Sequence, residues 1–147
     1  MSYQSEAQLE QQLIENLCER GYERVTIKDM DALLQNFREQ LNVFNKDKLC
    51  GKRLTDKEFE RVLLEVDGKS VYQSAKILRD KLLLNREDGT QIYLELFDGK
   101  DYKRNNFQVT NQVTVKKKYT NRYDVTILMN GLPVLQIELK RRGMDIK

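Results

Sequence analysis

Residues 123–140 read YDVTILMNGLPVLQIELK, and this stretch decides the fold. Two runs rich in β-branched and apolar residues, the typical composition of strands, flank the pair Asn130-Gly131. Asn-Gly is a strong turn signal between strands, because both residues tolerate a positive φ. The stretch therefore predicts a β-hairpin.

The second strand of this hairpin has an apolar face and a polar face, since successive side chains point to opposite sides of a sheet. Its apolar face is expected to pack into the core and comprises Leu135, Ile137 and Leu139. Its polar face comprises Gln136, Glu138 and Lys140.

The length of the loop decides where Asp124 points. A two-residue turn would pair Asp124 with Ile137, on the core side, whereas a three-residue loop over 130–132 would pair it with Glu138. Gly131 can supply the left-handed residue that a three-residue loop needs. We favour the register that pairs Asp124 with Glu138, because it avoids burying a lone carboxylate, and we expect it to arise through an odd-numbered loop or a bulge near Asn130 to Pro133.

That register would bring Asp124, Glu138 and Lys140 together. Two carboxylates at ~4 Å repel each other by roughly 4 kcal/mol at an effective dielectric constant of about 20. Lys140 can offset part of this repulsion, and a hard divalent cation such as Mg²⁺ offsets more. The pattern favours metal-assisted hydrolysis of a phosphodiester, with a purely structural ion pair to Lys140 as the alternative.

These residues resemble the PD-(D/E)XK nuclease pattern, with Asp124 as the motif aspartate and Glu138-Leu139-Lys140 as the (D/E)-X-K. The residue before Asp124 is Tyr123, where many members of the superfamily have proline. The surrounding sequence segments are similar to the N-terminal nuclease region of type I restriction enzyme R (restriction) subunits. These segments are 122–125, 130–133, 138–140, 34–41, 54–59 and 105–112. The resemblance extends from about Glu6 to Gly143.

The resemblance implies a magnesium-dependent type I site-specific deoxyribonuclease acting on double-stranded DNA. Asp124, Glu138 and the backbone carbonyl of Leu139 would hold the Mg²⁺, and Lys140 would orient or help to deprotonate the attacking water. Recognition of the target would belong to partner methyltransferase and specificity subunits. The alternative from another class is a catalytically inactive nuclease-like docking or DNA-binding module.

The first helix is predicted over about 5–20, with Ser5 as its N-cap and Gly21 just past its end. At about 100° per residue, Glu6 and Glu10 project into its apolar stripe. Either both glutamates are solvated, or one reaches the Asp124 and Glu138 carboxylates. The resemblance implies the second option, since these nucleases often carry an acidic residue on the first helix, and we favour Glu10 over Glu6 as a further metal ligand.

The central part of the chain is predicted as a helical insertion over about 28–85. It contains a helix over 29–44, a helix begun by the capping box of Thr55 and Glu58, and a further helix from Ser70 through Leu82. Strands are predicted over 90–97 and 106–115. Together with the hairpin, these elements predict one α/β domain over 1–147, with a mixed sheet of about four strands and flanking helices.

The strand over 106–115 leads into a basic run, Lys116, Lys117 and Lys118, and Tyr119 follows. A basic run beside an aromatic residue can hold a DNA backbone, although it is also typical of a solvated strand end that prevents edge pairing. Gln112 is a candidate neighbour of the active site and, with the three lysines, a candidate DNA contact.

Composition excludes several classes of site. The 147 residues contain no histidine, which excludes histidine-based triads and the usual catalytic zinc sites. The two cysteines have no metal-binding spacing, and no apolar run reaches about 18 residues. We therefore expect a soluble cytoplasmic protein with no membrane partner, whose net charge of +3 permits DNA binding without requiring it.

The sequence has no Gly-x-x-x-x-Gly-Lys-Ser/Thr word, and hence no P-loop for ATP. In R subunits, as the resemblance implies, two motor domains follow the nuclease region and use ATP to translocate DNA. We therefore expect a C-terminally truncated nuclease domain without its motor and later domains.

Overall fold

The computed structural model describes residues 5–66, 81–116 and 120–139, which form a mixed α/β structure. The helices are α1 (Glu6–Glu19), α2 (Met30–Phe44), α3 (Lys46–Leu49) and α4 (Asp56–Val66), with a short 3-10 helix at Tyr102–Arg104. The strands are β1 (Glu23–Arg24), β2 (Leu82–Asn85), β3 (Gln91–Leu94), β4 (Phe107–Lys116), β5 (Thr120–Met129) and β6 (Leu132–Ile137).

Contacts between residues divide the chain into two compact units, with the second inserted into the first. The first unit comprises 1–36 and 106–147, and the second comprises 37–105, so the boundary falls inside α2. The second unit begins and ends later than the insertion predicted over 28–85. It also contains strands β2 and β3, and is therefore not purely helical.

The first unit contains the predicted mixed sheet of four strands, in the order β1-β4-β5-β6. β1 is parallel to β4, whereas β4, β5 and β6 are antiparallel to one another. The membership of this sheet differs from the prediction. Glu23–Arg24 forms a strand that was not among the predicted elements, and the strand expected over 90–97 belongs instead to the second unit.

The hairpin of β5 and β6 has a two-residue turn and not a three-residue loop, so of the two predicted alternatives the structure has the bulge. Met129 pairs with Leu132 across Asn130 and Gly131, whose φ values are 51° and 86°. The register then shifts in β6, where a β-bulge accommodates one extra residue, Val134. This bulge adds the same single residue that a longer loop would have added. Continued by one residue beyond the pair of Val125 and Ile137, this register places Asp124 opposite Glu138, as the prediction required.

Helix α1 packs on one face of this sheet. Ser5 caps it through a capping box with Gln8, and Gly21 follows its end with a φ of 99°, as predicted. Ile14 is buried with Val109 and Val125, and partly buried side chains surround them, including Leu13, Leu17, Ile137 and Leu139. Ile137 and Leu139 of the predicted apolar face therefore lie against α1, whereas the prediction that Leu135 packs into the core was wrong, because the bulge precedes it and its side chain is 51% exposed.

A second hydrophobic cluster joins the sheet to the residues before and within the first turn of α2. It joins Ile27 and Leu33 to Val113 and Leu128. The backbone amide of Ile27 donates to the hydroxyl of Thr110 at 3.1 Å, which places the Thr110 side chain on this side of the sheet. On β5, Val125 and Leu128 are three residues apart and belong to different clusters, as strand alternation requires.

The second unit contains α3, α4 and the antiparallel pair of β2 and β3. The capping box predicted at the start of α4 is present, since Thr55 and Glu58 exchange hydrogen bonds of 2.8 and 3.2 Å. The helix predicted from Ser70 through Leu82 lies outside the described residues, except for Lys81, which is not helical, and Leu82. Leu82 begins a strand and not the end of a helix, because it pairs with Leu94.

No helix in the described ranges is both long enough and apolar enough to cross a membrane.

Candidate active site

Three polar residues of the first unit follow one another across the sheet. Asn111 pairs with Val125 and Val113 with Tyr123, so Gln112 of β4 stands opposite Asp124 of β5. On the other side of β5, the residue opposite Asp124 is Glu138, one residue beyond β6. The structure therefore brings the two predicted carboxylates, and the predicted glutamine, into one row of the sheet.

Asp124 is half-buried and accepts a hydrogen bond from the backbone amide of Leu139. The distance between Oδ2 of Asp124 and this nitrogen is 2.7 Å, which is typical of a charge-assisted hydrogen bond. The bond ties the aspartate to the segment that carries Glu138, whose side chain is exposed. Two carboxylates and a backbone carbonyl thus come from adjoining positions on two strands.

Glu10 reaches the same row from helix α1. The side-chain amide of Gln112 donates to Oε1 of Glu10 at 2.7 Å. Of the two candidate glutamates on the first helix, Glu10 is half-buried and contacts the row, whereas Glu6 is exposed. Among the residues that the structure describes, no three acidic, histidine or cysteine side chains are grouped as metal ligands. Glu10 is therefore engaged by Gln112 and is not grouped with the two carboxylates.

The predicted lysines fall mostly outside the described ranges. Lys140, Lys117 and Lys118 lie there, and Lys116 is the last residue of β4.

The oxygen atoms at this site fit a hard divalent cation. Mg²⁺ usually takes one or two carboxylates and completes its octahedral shell with water and phosphate oxygens. Asp124, Glu138 and the carbonyl of Leu139 supply this kind of donor. The exposure of Glu138 leaves room for solvent and for a phosphate on the open side.

Two glutamates of the second unit form ion pairs that lower their pKa. Arg86 bonds Glu58 through Nε at 2.9 Å and Nη2 at 3.0 Å, and both side chains are buried. These bonds lower the pKa of Glu58 to about 2, although burial opposes the shift. Bonds from Arg104 and Lys48 likewise lower the pKa of Glu95 to about 2.

Sequence reasoning missed the two side-chain pairs that tie distant segments together. Glu58 was recognised only as a capping residue, and nothing in its spacing indicates Arg86, 28 residues later. The pairing of Glu10 with Gln112 joins residues 102 positions apart. A glutamate inside an apolar helical stripe was the one available signal, because such a residue needs a polar partner.

The sequence is similar to known proteins over nearly its whole length. Residues 3–147 match the family model described as type I restriction enzyme R protein N terminus. A type I restriction enzyme endonuclease subunit from Staphylococcus aureus strain COL is 58% identical over 146 residues, and one from Staphylococcus saprophyticus is 54% identical. The EcoprrI endonuclease subunit of Escherichia coli is 38% identical over 149 residues. Each match covers 99% of this chain, but only 16% of the two staphylococcal subunits and 47% of the Escherichia coli subunit.

Proposed function

Since the chain belongs to the family of type I restriction enzyme R protein N termini, we propose that it is the endonuclease domain of such a subunit and hydrolyses DNA phosphodiesters with Mg²⁺. The observation that carries this proposal is the register of β4, β5 and β6, which aligns Asp124 with Glu138. The hydrogen bond from Leu139 to Asp124 supports it further, because it fixes the aspartate beside the Glu-x-Lys segment.

The fold proposed for the first unit is that of a PD-(D/E)XK nuclease. Its mixed sheet, the helix α1 packed on one face and the hairpin with its motif carboxylates all support this assignment. The helical and hairpin elements of the second unit would be an insertion between the first helix and the catalytic strands.

In this mechanism Asp124, Glu138 and the carbonyl of Leu139 would hold the cation. When bound, Mg²⁺ would polarise the phosphoryl oxygen and lower the pKa of a bound water. The hydrogen bond from Leu139 orients one oxygen of Asp124 before any ligand arrives. Lys140, two residues after Glu138, would orient or help to deprotonate the attacking water and would offset the charge that develops on the phosphate.

The remaining activities of the enzyme are proposed for a longer protein. Because the chain spans 16% of the length of the first relatives it matches, ATP-driven translocation would belong to motor domains outside it. Target recognition would belong to methyltransferase and specificity subunits. Double-stranded DNA would lie along the row, with the basic run 116–118 and Gln112 as candidate contacts.

A second candidate function is a nuclease-like docking or DNA-binding module without turnover. The observation that favours it is the absence of a third grouped acidic ligand among the residues described by the structure. The two functions differ in their dependence on Lys140, which would be needed for cleavage but not for binding.

The proposal is tested by substitutions in a full-length R subunit that carries this domain. We expect Lys140→Ala to lower DNA cleavage by about 10²–10⁴-fold, the usual scale for losing a positioned proton-transfer group. ATP hydrolysis and translocation should persist, because they would be performed elsewhere. Mn²⁺ binding should persist in Lys140→Ala but should be lost, together with cleavage, in Asp124→Ala.

Matched controls are available in the second unit. Lys52→Ala and Asp101→Ala remove exposed side chains of the same types and should leave cleavage at the wild-type rate. Wild-type cleavage by Lys140→Ala, or loss of ATP hydrolysis along with cleavage, would contradict the role given to Lys140. Metal binding by a wild-type subunit that cleaves no DNA would instead support the docking or DNA-binding module.

A further inference from the structure

Gln112 has an unusual backbone conformation for a residue within a strand. Its φ is 59°, in the left-handed region, and it lies inside the ten-residue strand β4. Non-glycine residues rarely adopt this conformation, because the Cβ atom comes too close to the following carbonyl oxygen. The pairing of β4 with β5 continues on both sides of Gln112 without a shift in register. The irregularity at Gln112, which we call the left-handed break, is therefore confined to this residue.

Strand β4 changes faces at this break. Val109 and Val113 are four residues apart and would share a face in a regular strand. Val109 is instead buried with Ile14 of α1, whereas Val113 is buried with Ile27 and Leu33 on the other side of the sheet. Gln112 is the residue with a positive φ between them.

The side chain of Gln112 also lies on the face opposite to the one that regular alternation predicts. By alternation it would share the face of Thr110, which contacts Ile27. Its amide instead bonds Glu10 on α1, which packs on the opposite face. The backbone break and the hydrogen bond therefore turn Gln112 away from the face on which a regular strand would place it.

Asp124 lies on the face that Gln112 leaves. It alternates with Val125, which faces α1, and so shares the side of Thr126. In a regular antiparallel pair, the Cβ atom of the residue opposite Asp124 would stand only about 4.5–5.5 Å away. Thr126 is 1% exposed and its hydroxyl has no hydrogen-bond partner among the described residues. On this face, Gln112 therefore does not fill the position directly opposite Asp124.

We propose that Gln112 and Glu10 are positioning residues: the left-handed break, held by their hydrogen bond, keeps the β4 side of Asp124 clear of a side chain so that a hydrated divalent cation can approach. This inference rests on the proposed function. It gives Glu10 a role different from that of a metal ligand, because Glu10 acts through Gln112.

The test compares Mn²⁺ affinities of variants of the 147-residue chain by calorimetry. Gln112→Gly removes the side chain but favours the left-handed backbone, so its affinity should stay within about threefold of the wild type. Gln112→Val favours a regular strand and returns a side chain to the face of Asp124, so its affinity should fall by about tenfold or more. Gln91→Val is the matched control, since it makes the same change on β3 of the second unit and should leave the affinity unchanged.

A double-mutant cycle separates positioning from ligation, and does so even if Gln112→Val fails to fold. Glu10→Ala removes the partner that holds the break, and we expect it to weaken Mn²⁺ binding several-fold in the wild-type background. In the Gln112→Gly background the break needs no partner, so Glu10→Ala should have little further effect. Equal weakening by Glu10→Ala in both backgrounds would mean that Glu10 is a ligand, and would overturn the inference.

Asp124→Ala distinguishes failure of the inference from failure of the proposed function. If the wild type binds Mn²⁺ and Asp124→Ala abolishes binding, while Gln112→Val binds like the wild type, only the inference is overturned. If the wild type binds no Mn²⁺, the proposed function and the inference are overturned together.

Discussion

At the scale of single residues, Glu58 carries the most heavily bonded carboxylate in the second unit. It accepts from Nε and Nη2 of Arg86, and from the backbone amides of Thr55 and Glu87 at 2.8 and 3.1 Å. Arg86 in turn donates to the carbonyls of Leu49 and Arg53. Because both charges are buried, removing either one leaves the other without a compensating charge, which usually costs about 3–5 kcal/mol.

We expect this carboxylate to make the second unit sensitive to acid. The pKa of Glu58 is lowered from 4.5 to about 2, chiefly by the bonds from Arg86. A lowered folded-state pKa stabilises the fold at pH values above the unfolded pKa, and the stabilisation is lost as the pH falls from 4.5 through 2. The shift corresponds to roughly 3 kcal/mol. Urea denaturation across this pH range should therefore show that the deficit of Glu58→Gln relative to the wild type is large near neutral pH and shrinks in acid.

The control for this prediction is Glu39→Gln. Glu39 also pairs with an arginine, Arg53, but both side chains are at least half exposed, so the pair should contribute about 0–1 kcal/mol at any pH. A deficit of Glu58→Gln that stays constant with pH would show that the Glu58 carboxylate does not titrate as described.

Residue-scale prediction from the sequence succeeded where strand alternation applied. The alignment of Asp124 with Glu138 followed from an argument about burying a carboxylate, and the register confirms it. The Gln112 break could not be predicted, because glutamine is not a residue that favours a positive φ. The pair of Glu58 and Arg86 depends on tertiary packing, which no local pattern records.

At the scale of elements, the tight turn of the hairpin is fastened to the start of β4. Asn130 has a φ of 51°, is 1% exposed, and accepts a hydrogen bond from the backbone amide of Asn106 through Oδ1 at 2.8 Å. The backbone amide of Asn130 donates to the backbone carbonyl of Asn106 at 2.8 Å. The asparagine thus provides both the left-handed backbone and a buried contact to the neighbouring strand.

We expect Asn130→Ala to destabilise the protein by roughly 2–4 kcal/mol, because alanine is strained at this φ and leaves the Asn106 amide without its side-chain acceptor. Asn130→Gly removes the same acceptor but tolerates the backbone, so its loss should be smaller. Urea denaturation of the two variants measures the difference. Equal losses would mean that the left-handed backbone contributes nothing.

Element-scale prediction identified most helices and strands but not all of their partners. The N-cap at Ser5 and the capping box at Thr55 identified the starts of two helices, since these signals lie within a few residues. The extra residue of the hairpin was expected in the loop or at a bulge, and it lies at a bulge; the sequence could not distinguish the two, because both give the same register. The strand at Gln91–Leu94 was recognised, but its pairing with Leu82–Asn85 depends on residues whose pattern also suited a helix.

At the scale of the whole molecule, the candidate chemistry lies in one unit. The first unit carries the row of Gln112, Asp124 and Glu138, and helix α1 that reaches it through Glu10. The second unit carries the buried pair of Glu58 and Arg86. Substitutions in the second unit should therefore change stability before they change metal binding, which is why it supplies the control variants.

The central claim is that Asp124 and Glu138 form a divalent-cation site, and calorimetric titration of the chain with Mn²⁺ tests it most directly. We predict one bound ion per chain in the wild type, and loss of binding in both Asp124→Asn and Glu138→Gln. Glu19→Gln, at an exposed position at the end of α1, should bind like the wild type. Absence of binding by the wild type, or wild-type affinity in Asp124→Asn, would contradict the account.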